Sequence, residues 1–182
     1  MELLTVHMND EEAIADLTKQ LKEVMTLDTV FVCIGTDRSI GDMLGPLVGT
    51  MLEESDDFDQ TVFGTVEEPA HGLNIQSVIN HVHKNYGDKN IIAIDACIGD
   101  IELVSRIRIK DTPIHPGQGV GKNIGAIGDY AIVGIVSNRT CNLSSIRFQY
   151  IQKMAKIISR SIINAHMQLK YEQLGGALWE AY

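Results

Sequence analysis

VCIGTDRSIGDMLGP, residues 32–46, and IIAIDACIG, residues 91–99, are each an apolar, β-branched run that stops at carboxylates and glycines. Such runs read as buried parallel strands that end in tight loops. In open α/β sheets, ligands gather at the carboxyl edge of the strands. Two such edges, each carrying an aspartate, would bring Asp42 and Asp95 into one cleft. A pair of carboxylates is a minimal apparatus for activating water or gripping a metal. Hydrolysis is therefore the first chemistry to test.

Elements alternate outward from these two strands. Residues 11–25 predict a helix, with Ile14, Leu17, Leu21 and Val24 at helical spacing and acids in the first turn. A strand over 29–35 leads through the loop of Asp37, Arg38 and Asp42 to a helix over 43–54, with Pro46 in its first turn. A strand over 61–66, the polar turn EEPAHG and a helix over 73–86 follow. Residues 90–96 form the central buried strand. Residues 104–110 alternate Val104, Arg106, Arg108 and Lys110 like a half-exposed edge strand. A Gly/Pro loop over 111–128, a strand over 130–136 and a helix over 143–171 complete the chain, ahead of a break at Gly175-Gly176. The alternation predicts one α/β domain over residues 1–182, its mostly parallel sheet covered by helices on both faces.

Composition excludes several classes. A hydrophobic fraction of 45% suits a globular chain with a real core. Lys+Arg 15 against Asp+Glu 24 gives a net charge of -9 with no basic run, which argues against a nucleic-acid partner. No apolar run approaches a membrane span. The opening MELLTVHMNDEEAIADL has acids where a signal peptide carries basic residues. Cys33, Cys97 and Cys141 lie in or beside apolar runs and read as reduced thiols of a cytoplasmic protein. HPGQGVGK, residues 115–122, lacks the hydroxyl residue a phosphate loop needs after its lysine, because Asn123 follows Lys122.

GTDRSIGDMLGPLVG, GTVEEPAHGLN and IAIDACIG, in this order, resemble the YyaC-type sporulation proteins of endospore-forming bacteria. That family in turn resembles the germination protease, which degrades small acid-soluble spore proteins. The matching pieces are D-x-L-G-P at Asp42, I-D-A at Asp95 and DTPIHPGQGVGK from Asp111 to Lys122. More distantly, both groups are similar to hydrogenase maturation endopeptidases. The resemblance implies a three-layer α/β/α sandwich and a peptidase without a cofactor, with the family's two catalytic aspartates falling on Asp42 and Asp95. It also implies a small spore protein or peptide as substrate, in the forespore or mother-cell cytosol. In the maturation enzymes the corresponding acids, with a histidine, bind the substrate's nickel; no metal is assigned here.

Each residue also has a plainer reading. Asp42 would cap the next helix if it did not act on substrate. Asp95, an acid ending a buried strand, needs a partner in either case. Arg38 would hold a substrate carboxylate, or pair with Asp37 or Asp42 to fix the loop. His115, in the family-like loop, is the candidate for stabilising an oxyanion; His71, after Pro69 and Ala70, would line the same cleft. Gly117, Gly119 and Gly121 would supply backbone N–H donors or merely allow an irregular turn. Cys97 reads as a small buried thiol before it reads as a nucleophile. The stripe Ile146, Tyr150, Met154, Ile157, Ile158 and Ile162 is core packing, and the tail with Trp179 would dock on a second subunit or on its own domain. The competing function is a non-catalytic protein that docks a peptide or partner on the same frame.

Overall fold

Phe31 to Cys33 are fully buried and Ile91 to Ile94 are at most 5% exposed, which is why neither run tolerates a polar residue before its end. They belong to a computed structural model that describes residues 1–117, 124–140 and 146–179, with side chains described as far as residue 175. Its elements, in chain order, are β1 (Glu2–His7), α1 (Ala13–Val24), β2 (Val30–Cys33), α2 (Leu44–Glu53) and β3 (Thr61–Phe63). They continue with α3 (Ile75–Tyr86), β4 (Ile91–Gly99), β5 (Arg106–Lys110), β6 (Tyr130–Asn138) and α4 (Phe148–Trp179). Short 3-10 turns occupy Ile40–Asp42 and Ile101–Leu103.

The strands form one sheet in the order β1-β5-β6-β4-β2-β3. The pairs β6/β4, β4/β2 and β2/β3 are parallel, and β5/β6 and β1/β5 are antiparallel. Among the described residues, the fold is a mixed α/β one, with a mostly parallel six-stranded sheet and four helices.

Alternate residues of the central strands feed two separate cores. Phe31, Ile92 and Ile94 pack with Leu17 and Leu21 of α1, Leu44 and Leu52 of α2, and Met154 and Ile158 of α4. Val30, Val32, Ile91 and Ala93 pack instead with Ile75, Ile79 and Val82 of α3. The α4 stripe behaves as its spacing predicts: Met154, Ile157, Ile158 and Ile162 are buried, with Ile146 and Tyr150 packed against them. Each large aliphatic side chain removed from water in this way contributes about 1.5–3 kcal/mol.

Several expectations are corrected. Residues 2–7, given no element from sequence, form β1 and pair with β5 from Glu2↔Lys110 to His7↔Arg106. Strand β5 is therefore internal rather than an edge. Its alternation survives, with Ile107 and Ile109 buried and Arg108 ion-paired to Glu2 of β1. Strand β3 stops at Phe63 and not at residue 66. Strand β4 runs on to Gly99, because β6 keeps pairing with it across a register shift between Cys97 and Ile98. Helix α4 passes through Gly175 without the expected break. The 111–128 loop is pinned by a bridge between Ile114 and Ile127. The assignments to Gly119 and Gly121 lie outside the described residues, as does Cys141. Among the described residues, no helix is long and apolar enough to cross a membrane.

Candidate active site

Three neighbouring parallel strands, β4, β2 and β3, each carry a titratable side chain on or after them toward the same edge of the sheet. Asp95 comes from β4. Its last β2-paired neighbour is Ile94, opposite Cys33, so Asp95 is the first residue of β4 that β2 no longer covers. It lies inside the strand rather than on a loop beyond it, opposite Val133 of β6.

Asp42 arrives from the loop after β2. That loop folds back because Gly35, at φ +143, lies against it: a Cβ on Gly35 would sit 2.1 Å from the Asp42 carbonyl oxygen. The Thr36 N–H donates to the same carbonyl at 3.0 Å and closes the loop. Gly45, one turn on, lets α2 lean directly on β2, since a Cβ there would meet the Ile34 carbonyl oxygen at 2.1 Å.

His71 follows β3. Ala70 forms a parallel bridge with Ile34, and its carbonyl accepts the Gly35 N–H at 2.9 Å, which holds this segment beside the Asp42 loop. The His71 Nδ1 accepts the Leu73 N–H at 3.4 Å, which fixes the orientation of the ring.

Electrostatics tie the three together. Burial pushes the Asp95 carboxyl up to about 8; the Ala96 N–H, which donates to its Oδ1 at 2.8 Å, opposes this, and the charge of Asp42 adds to it. Asp95 keeps a partial opening to solvent, yet desolvation still dominates its titration. Burial also raises Asp42, against the Thr36 backbone N–H and the charge of His71, which both lower it. Near neutral pH, one acid of the pair therefore holds a proton while its neighbour is the more readily ionised.

The plainer readings fare differently. Helix α2 is capped at Met43 with no side-chain hydrogen bond, so Asp42 does not serve as its N-cap. Asp37 and Arg38 are exposed; the Asp37 Oδ1 accepts the Thr36 hydroxyl at 3.4 Å, and the expected pairing of Arg38 with Asp37 or Asp42 is not made among the described residues. Arg38 is open to solvent. Burial and the Asp95 charge raise the Cys97 thiol, against Lys110, which disfavours the thiolate a nucleophile needs. His115 is exposed on the 111–128 loop, next to buried Ile114, and Gly117 turns with φ +78. No described contact joins either to the aspartates. Among the described residues, no three His, Cys, Asp or Glu side chains converge closely enough to hold a metal ion. Sequence reasoning misses Thr36, whose contribution is a backbone N–H with no side-chain signature.

Residues 5–161 match the family model described as "Protein of unknown function (DUF1256)". The chain belongs to this family. Asp42, His71, Asp95 and His115 all fall within the span that DUF1256 covers. A relative in the same region is the "Uncharacterized protein YyaC" of Bacillus subtilis (strain 168), 37% identical over 150 residues, covering 80% of this chain and 73% of that protein.

Proposed function

We propose that this protein is a peptidase of sporulation or germination that hydrolyses small spore proteins through Asp42 and Asp95. The observation that carries the reading is a pair of carboxyls, Asp95 inside β4 and Asp42 on the loop after the neighbouring parallel strand β2, both pushed upward by burial. The likeness of its motifs to the germination protease supplies the substrate class. Helices feeding both cores fit a three-layer α/β/α sandwich of the hydrogenase-maturation-protease type, acting in the forespore or mother-cell cytosol.

In this mechanism the Asp42 carboxylate takes a proton from water, whose oxygen attacks the peptide carbonyl carbon. The protonated Asp95 gives its proton to the carbonyl oxygen, so the intermediate is a neutral diol. Collapse breaks the C–N bond, returns one diol proton to Asp95 and passes the Asp42 proton to the leaving nitrogen. A free carboxyl and a free amine result. The charge of His71 opposes the burial that raises Asp42, and the exposed Arg38 meets an acidic group of the substrate. His115 and the Gly117 amide are the further candidates for acting on the carbonyl oxygen.

A second reading, a binding protein that holds a peptide without cutting it, is favoured by Leu73 and Ile101, 82% and 67% exposed at the same end of the sheet. Incubation with small acid-soluble spore proteins, followed by mass spectrometry, separates the two. Defined fragments from the wild type, absent with the Asp42→Asn, Asp95→Asn variant, support the peptidase. Intact substrate that still co-purifies with folded protein supports the binding role.

A further inference from the structure

Strand β3 is the last strand of the sheet, and a cleft of about 710 Å³ is lined by its Val62 and Phe63. Glu53 at the end of α2 and Glu67 and Glu68 from the loop beyond the strand also line it. His71, whose charge reaches Asp42, is among the lining residues, while the two aspartates are not. All three glutamates are exposed, and none enters an ion pair among the described residues.

An open strand edge offers unpaired backbone groups, and proteins ordinarily cover or blunt such edges. Here the edge is short, and residues of it line a cleft that His71 of the candidate site also lines. An extended peptide pairs with such an edge through its backbone and places alternate side chains on the flanking walls. Three unpaired carboxylates on those walls favour cations and repel acids.

We propose that this cleft binds an extended peptide bearing lysine or arginine side chains, added to the sheet as a strand beside β3, and feeds it toward His71, Asp42 and Asp95. That it is a substrate rests on the peptidase reading; that it binds does not.

The test uses two labelled, end-capped ten-residue peptides, one alternating lysine with valine and one alternating glutamate with valine. Fluorescence anisotropy reads their binding to the wild type, to Asp95→Asn and to a Glu53→Gln, Glu67→Gln, Glu68→Gln variant. A Glu11→Gln, Glu12→Gln, Glu23→Gln variant, altered at exposed positions just before and on α1, controls for net charge. Thermal denaturation checks that each is folded. The lysine peptide should bind the wild type, Asp95→Asn and the control at least about tenfold more tightly than the glutamate peptide, with the preference weakening in high salt. The cleft variant should lose that preference, and the lysine peptide should slow hydrogen exchange of the β3 amides. Equal binding of both peptides, an unchanged cleft variant, or β3 left unprotected would overturn the proposal. So would a dimer of this chain that occupies the edge. If selective binding occurs and no peptide is ever cut, the peptidase reading fails while the cleft assignment stands. Cleavage without selectivity or protection has the opposite meaning.

Discussion

Asp95 is stable where it is only because it keeps its proton. Its pKa in the folded chain, about 8, lies above the ordinary value of 3.8. Between those two pH values the folded state holds a proton that the unfolded chain has released, so stability falls as pH rises from about 4 to about 8 and then levels off. An asparagine side chain in its place would keep an oxygen to accept the Ala96 N–H and would never ionise. Asp95→Asn should therefore match the wild type in melting temperature near pH 4 and exceed it by at least about 3 °C at pH 8. Thermal denaturation at the two pH values decides this; a variant that is less stable at both would mean that the carboxylate is favourably paired. The same substitution should reduce peptide cleavage by about a thousandfold, a trade of activity for stability usual at functional sites.

The elements that hold the pair depend on backbone contact. At Gly45 and Gly35 the Asp42 loop and α2 approach the end of β2 more closely than any Cβ allows. Gly45→Ala should destabilise the protein by about 2 kcal/mol or more, because the atom it meets is a carbonyl of the sheet and not a movable side chain. Urea unfolding would show it, and an unchanged midpoint would mean that α2 is not seated as described. The strands were legible in sequence because buried parallel strands need uninterrupted β-branched runs, as in Val30–Cys33 and the first half of Ile91–Gly99. Strand β1 was not, since a single edge strand is fixed by its partner β5 and carries little pattern of its own. The extension of β4 to Gly99 was hidden for the same reason: β6 imposes it on residues that read as a loop. Helix α4 likewise continues over Gly175, whose propensity predicts an end.

At the scale of the whole molecule, the site is a product of strand order. Asp42, His71 and Asp95 are far apart in the chain and meet because β2 lies between β4 and β3. The two aspartates were legible as acids closing apolar runs, although Asp95 lies inside β4 rather than at its end. His71 is expected in the same cleft from its place after β3; the Ala70–Ile34 bridge that holds it there was not legible, because no local pattern encodes it. Two coupled acids predict a bell-shaped pH dependence of kcat/KM, with its alkaline limb near 8 and its acidic limb above the usual aspartate value. A cleavage rate that is flat between pH 5 and pH 9 would exclude this assignment of acid and base.

The most direct measurement is a carbon-13 NMR titration of the aspartate carboxyls in the wild type and in Asp42→Asn. One carboxyl should titrate near 8 in the wild type and vanish in Asp95→Asn, and it should move to lower pH when Asp42 loses its charge. Ordinary aspartate titrations throughout, or a high value indifferent to Asp42, would contradict a coupled pair and the chemistry proposed for it.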